Sequence, residues 1–150
     1  MKTLVVYDSV YGNTRTIAQA IGDTIPGEVE VLHVGQVDAD ELATVDLLII
    51  GSPTHGSLPT EAVQRLVEKI GAPARKGAEL ATFDTRLSWR FLRRWGFAAP
   101  KIGDRLKEKG WRLAGAPEGF FVKGLKKGPL KRGEAERAAA WAKEIIGSKI

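Results

Sequence analysis

The chain reads as α/β, a doubly wound sheet of five parallel strands, on two observations. Short apolar runs of strand length alternate with segments whose apolar residues recur at helical spacing. The first run, Leu4-Val5-Val6-Tyr7, is apolar throughout, as a strand covered on both faces requires. Right-handed crossovers then put helices on both faces and gather the ligand-binding loops at the carboxyl ends of the strands.

In chain order, the first strand is expected at Thr3–Tyr7 and the first helix at Thr14–Thr24, where Ile17, Ala18 and Ile21 share a face. The second strand is expected at Val29–His33. Helical signal after it is short, at Ala39–Ala43. The third strand is Leu47-Leu48-Ile49-Ile50-Gly51, followed by a helix over Thr60–Lys69. The fourth strand covers Glu79–Phe83 and the next helix Ala98–Lys109. The fifth strand falls at Arg112–Ala114 or at Phe120–Val122, two alternatives the pattern leaves open. Gly128-Pro129 and Gly133 punctuate the turn before a last helix, Glu134–Ile146, with Glu134 favourably placed at its N-terminus.

One hundred and fifty residues suit a single domain, 1–150, with a full core. No stretch approaches the roughly 18 consecutive apolar residues of a membrane span, and the chain opens on strand-like sequence without a visible signal peptide. A cytoplasmic location is the expectation. Cysteine is absent, which excludes disulfides, thiolate catalysis, iron–sulfur clusters and cysteine zinc sites. Redox chemistry in this chain would need a bound organic cofactor. The net charge of +5 is unevenly spread: residues 1–75 sum to −5 and residues 76–150 to +10. The basic half favours an acidic partner, an anionic substrate, nucleic acid or an anionic membrane surface.

The most informative stretch lies between the first strand and first helix: Ser9, Val10, Tyr11, Gly12, Asn13, Thr14. It has hydroxyls and a glycine but no basic side chain. A helix N-terminus presents unpaired N–H groups and a partial positive charge, so it holds a phosphate without a lysine. Ser9 and Thr14 add hydroxyl donors, and Gly12 admits close approach of the backbone. The alternative is an ordinary turn whose Ser, Asn and Thr only cap the helix. Neither G-x-x-x-x-G-K-[ST] nor G-x-G-x-x-G is present, so nucleoside triphosphates and dinucleotides are poorly supported.

The hydroxyl, any, hydroxyl, Gly, any, Thr pattern of residues 9–14 resembles the flavodoxin family, whose first loop holds the phosphate of FMN. The resemblance implies strand order 2-1-3-4-5 and FMN as cofactor. It extends to Ser52-Pro53-Thr54-His55-Gly56 after the third strand, which looks like the family's second flavin loop. There the resemblance places His55 against the flavin ring, and Gly56 in a peptide able to turn its carbonyl toward the flavin N5–H. His55 as a solvated loop residue is the competing reading. Phe83, Asp84, Thr85 and Arg86 occupy the third-loop position. Arg86 would stabilise a reduced, anionic flavin by Coulomb attraction; alternatively Asp84 pairs with Arg86 or a backbone amide and only shapes the loop. Further on, the Phe-x-Val run Phe120-Phe121-Val122 and the Gly-Pro-Leu-x-x-Gly-Glu run over 128–134 strengthen the likeness.

Residues 87–97, Leu-Ser-Trp-Arg-Phe-Leu-Arg-Arg-Trp-Gly-Phe, interleave aromatics with arginines beside the expected flavin mouth. They suit a lid or docking surface for an anionic aromatic partner, a peripheral membrane contact, or a short helix with its aromatics inward. Nucleic acid is disfavoured, because no recognition motif accompanies the aromatics. A response-regulator receiver is excluded: Asp8 is present, but the third strand has no Asp at its tip. The resulting expectation is an FMN-binding electron carrier that works with a redox partner protein, for which an acidic docking surface would complement the basic half. The alternative is an FMN-dependent oxidoreductase acting on a quinone or porphyrinogen, and a third class is a flavin-free module that uses its basic face.

Overall fold

The computed structural model describes residues 1–87, 96–123 and 128–147. Strands β1 (Lys2–Tyr7), β2 (Glu28–His33), β3 (Leu47–Pro53), β4 (Glu79–Leu87), β5 (Arg112–Leu113) and β6 (Glu118–Val122) form one sheet. Its order is β2-β1-β3-β4-β5, with β6 also paired to β4, and every strand pairing is parallel. The fifth position is therefore shared. β5 pairs with the start of β4 (Leu80 opposite Leu113), and β6 with its end (Phe83 opposite Glu118 through Leu87 opposite Val122). Both candidate fifth strands exist, separated by residues 114–117.

Among the described residues, five α-helices cover the sheet: α1 (Asn13–Thr24), α2 (Ala39–Leu42), α3 (Glu61–Lys69), α4 (Ala98–Glu108) and α5 (Glu134–Gly147). Side-chain alternation along the strands sorts the core into two layers. Val5, Tyr7, Leu47, Ile49 and Phe83 pack with Ile17 and Ile21 of α1 and Trp141 and Ile145 of α5. Leu4, Val6, Leu48 and Ile50 pack on the other face with Val63 and Leu66 of α3 and Ile102 and Leu106 of α4. Such two-sided burial explains why β1 and β3 read as continuous apolar runs. Among the described residues, no helix is long and apolar enough to cross a membrane.

The largest departure from expectation is β4, which continues past Phe83 to Leu87. Asp84, Thr85 and Arg86 are polar and read as a loop, yet they pair with Ser52 and Pro53 on one side and with β6 on the other. β3 likewise extends through Ser52 to Pro53. These extensions make two of the three ligand loops shorter and stiffer than the sequence suggests.

Candidate functional site

The carboxyl ends of β1, β3 and β4 converge on a cavity of about 410 Å³. Ser9, Val10, Tyr11, Asn13 and Thr14 of the first loop line it, with Pro53, Thr54, His55 and Gly56 of the second and Thr85 and Arg86 of β4. Ser57, Leu87, Gly96, Phe97 and Val122 complete the wall. Its surface is mostly apolar, with hydroxyls concentrated at the α1 end. That combination suits a flat aromatic ligand with a charged tail.

Gly12 is the N-cap of α1 and lies at φ +91°, in the left-handed region that favours glycine. It supplies no side-chain cap, so the start of α1 relies on its surroundings. Ser9 Oγ accepts from the Gly12 N–H at 3.0 Å and lies 3.4 Å from the Arg15 nitrogen, which leaves its own hydroxyl proton free to donate. Thr14 is buried, and its hydroxyl meets that of Thr85 at 2.8 Å. If Thr85 donates in this pair, the Thr14 proton points to a ligand. The Asn13 side chain donates to the Gly128 carbonyl at 2.7 Å and anchors the loop from behind.

Asp8, at the end of β1, fixes the first loop to the second. Its carboxylate accepts from the Ser9 N–H at 2.9 Å and the Thr60 hydroxyl at 2.6 Å. His33 adds a third contact: its Nδ1 accepts from the Gly35 N–H, so its Nε2 carries the proton and donates to Asp8 at 3.2 Å. Sequence reasoning weighed Asp8 only against the receiver reading; its position one residue before the hydroxyl loop was the available signal.

The second loop closes as a two-residue turn. The His55 and Leu58 backbones exchange hydrogen bonds of 2.8 and 3.0 Å, with Gly56 at φ +54° and Ser57 at φ +71°. Both central residues are left-handed, the pattern of a type I′ turn. Gly56 adopts it freely, whereas Ser57 has a Cβ and carries about 1–2 kcal/mol of strain.

Four expected site residues lie off the cavity wall. Gly12 is exposed and serves as the helix cap. Ser52 is buried, and its Oγ accepts from the Thr60 N–H at 3.0 Å. Phe83 is fully buried, its ring filling the space above Gly51 and meeting Phe120 and Trp141 edge to face, with centroids 6.2 Å away in each case. It belongs to the core because Gly51 on the neighbouring strand leaves room for a ring. Asp84 is also fully buried. Its oxygens accept from Arg86 Nε at 2.6 Å and Nη2 at 2.8 Å, and from the Ala99 N–H at 2.8 Å.

Burial pushes the Asp84 carboxyl up from its ordinary value, while the Arg86 guanidinium and the Ala99 N–H pull it back. Three N–H donors, two of them from a bidentate arginine, describe an ionised carboxylate. Both loop-shaping alternatives for Asp84 thus hold at once, and the charge of Arg86 is largely spent on Asp84. Arg86 contributes a planar wall instead: its guanidinium stacks on Phe97 at 3.7 Å and passes over Gly119, where a Cβ would overlap it. Leu87, Gly96 and Phe97 belong to the arginine-rich segment read as flanking the mouth. Its Trp89, Arg90, Phe91, Leu92, Arg93, Arg94 and Trp95, with Ser88, lie outside the described residues.

With this geometry in view, the family model of the flavodoxin domain matches residues 4–114. The chain belongs to the flavodoxin family. It is similar to a probable flavodoxin 1 of Bacillus subtilis, 32% identical over 55% of this chain and 54% of that one. A flavodoxin of Aquifex aeolicus is 30% identical over 46% of this chain and 40% of its own. The matches thus span about half the length of these relatives. An archaeal flavodoxin structure superposes with a TM-score of 0.80, covering 100% of both chains at 23% identity. That last likeness concerns the fold, including the 2-1-3-4-5 order that the resemblance implied.

Proposed function

We propose that this chain is an FMN-binding electron carrier that passes electrons between redox partner proteins. The observation that carries the reading is the glycine-capped start of α1. A helix terminus whose cavity-facing residues carry hydroxyls and no charge opens directly into an apolar-walled cavity, so one end suits a phosphate and the other a ring. Bound FMN supplies the electron chemistry. The chain supplies the rest. Ser9, Asn13 and Thr14 hold the phosphate with backbone N–H groups and hydroxyls, and Gly12 shapes the turn that presents them. Pro53, Thr54, His55 and Gly56 form one wall, and Thr85, Arg86 and Phe97 the other.

Val10, Tyr11 and Leu58 are large apolar side chains left about half exposed, all three in the first and second loops. Exposed apolar groups around a cofactor mouth are suited to brief contact with a partner. With residues 76–150 at +10, the partner face that complements this chain is acidic, and its association weakens with salt.

The deciding experiment is an absorption spectrum of the purified protein followed by titration of the apoprotein with FMN. A yellow protein, with binding weakened about tenfold or more by each of Ser9→Ala and Thr14→Ala, is the expected result. A colourless protein that ignores FMN overturns the reading.

A further inference from the structure

Three anchors join the first turn of α4 to the cavity. The Ala98 N–H donates to Thr54 Oγ1 at 3.1 Å, and the Ala99 N–H to Asp84 at 2.8 Å. The third is a side chain. Lys101 reaches back along the helix, and its Nζ donates to the Ser57 carbonyl at 2.5 Å and lies 3.2 Å from Ser57 Oγ. Ser57 is the one non-glycine residue with positive φ among the described residues, and it lines the cavity. The Lys101 stem also runs past Gly96 on the opposite lip, where a Cβ would lie 3.5 Å from Nζ.

We propose that Lys101 is a positioning residue of the flavin site: its ammonium latches the strained Gly56–Ser57 turn against the cavity and sets a positive charge beside it. The inference rests on the FMN reading. A left-handed Ser is disfavoured by its own Cβ, so the turn needs an external tether to persist. A charge-assisted hydrogen bond to the Ser57 carbonyl provides one, since turning that peptide around would break it. Preorganising a wall removes part of the ordering cost of binding. The charge has a separate consequence. Reduction of the flavin adds negative charge, so a nearby ammonium favours the reduced form over the oxidised one.

The latch and the charge are separable by substitution. In apoprotein, Lys101→Met should move the backbone amide resonances of Gly56 and Ser57, with no flavin present. In loaded protein it should weaken binding of oxidised FMN about tenfold. Binding of reduced FMN should weaken about tenfold more, which is a shift of about 59 mV toward negative potential for a one-electron couple. Lys101→Gln keeps a hydrogen-bond donor without the charge. It should restore most of the amide positions and the oxidised affinity, yet retain the shifted potential. Wild-type amide resonances for Gly56 and Ser57 in K101M overturn the latch, and a wild-type potential in both variants overturns the charge effect. A wild-type protein that takes up no FMN defeats the functional reading instead, while the apoprotein spectra still decide the latch.

Discussion

Two carboxylate–arginine clamps flank β6, one from β4 and one from α5, and differ chiefly in depth. Asp84 with Arg86 lies at the cavity; its carboxylate side chain is 0% exposed. Glu134 with Arg137 lies at the start of α5, where Glu134 is 10% exposed and Arg137 37%. Each carboxylate takes two N–H bonds from its arginine and one from the backbone: Ala99 for Asp84, Phe121 for Glu134. The titration shifts nevertheless run in opposite directions. For Asp84, burial outweighs the favourable contacts and the carboxyl is raised. For Glu134, burial is again the largest single influence, but Arg137, the Phe121 N–H and Lys131 together overcome it and the carboxyl is lowered. With equal numbers of hydrogen bonds, the depth of burial decides the direction in which each carboxyl shifts.

The comparison breaks most visibly if Asp84 is removed. Asp84→Ala leaves the Arg86 guanidinium in a largely buried position and the Ala99 N–H without its acceptor. It should cost about 3–5 kcal/mol in apoprotein denaturant unfolding. A loss under about 1 kcal/mol would mean that Arg86 simply swings into solvent, and the cavity wall would then be lost with little effect on the fold.

Gly119 connects the two clamps and offers the next largest effect. Its Cα lies against Arg86, while its carbonyl accepts from Arg137 Nη2. Gly119→Ala should push Arg86 off its seat and cost about 1–3 kcal/mol through overpacking, with the Glu134 contacts to Phe121 kept. An Arg86 shift without loss of stability would show that the guanidinium finds an equally good seat elsewhere, so that its place over Gly119 contributes little to the fold.

The same contrast explains what could be read from the sequence. Elements built on apolar period, such as β1, β3 and α1, were legible because burial on two faces writes itself into the residues. The hydroxyl loop at 9–14 was legible because its chemistry is local: a turn, a glycine and a helix start. The tip of β4 was not. Asp84-Thr85-Arg86 reads as a polar loop, and only the tertiary pairing with β6 and the ion pair under Phe97 turn it into buried strand. Phe83 was misplaced for a related reason: the glycine that admits its ring to the core, Gly51, lies 32 positions earlier in the chain. Lys101 carried no signal, since a lysine on a helix reads as solvated until its reach to Ser57 is seen.

The smallest effect is the most informative about depth, because it depends on pH. Glu134→Gln keeps an acceptor for the Phe121 N–H but loses the charge, and should cost about 1 kcal/mol at neutral pH. The Glu134 carboxyl titrates below its ordinary value of 4.5 in the fold, so its contribution is present above that value. It fades as pH falls through the lowered folded pKa. The stability gap between the wild type and E134Q should therefore close in acid, a trend that thermal unfolding across pH would follow. Asp84 has the opposite sign. Its raised carboxyl favours the fold below the ordinary value of 3.8 and withdraws that contribution as pH climbs through the folded pKa. If the E134Q gap instead widened in acid, Glu134 would be desolvated as deeply as Asp84, and the distinction between the two clamps would collapse.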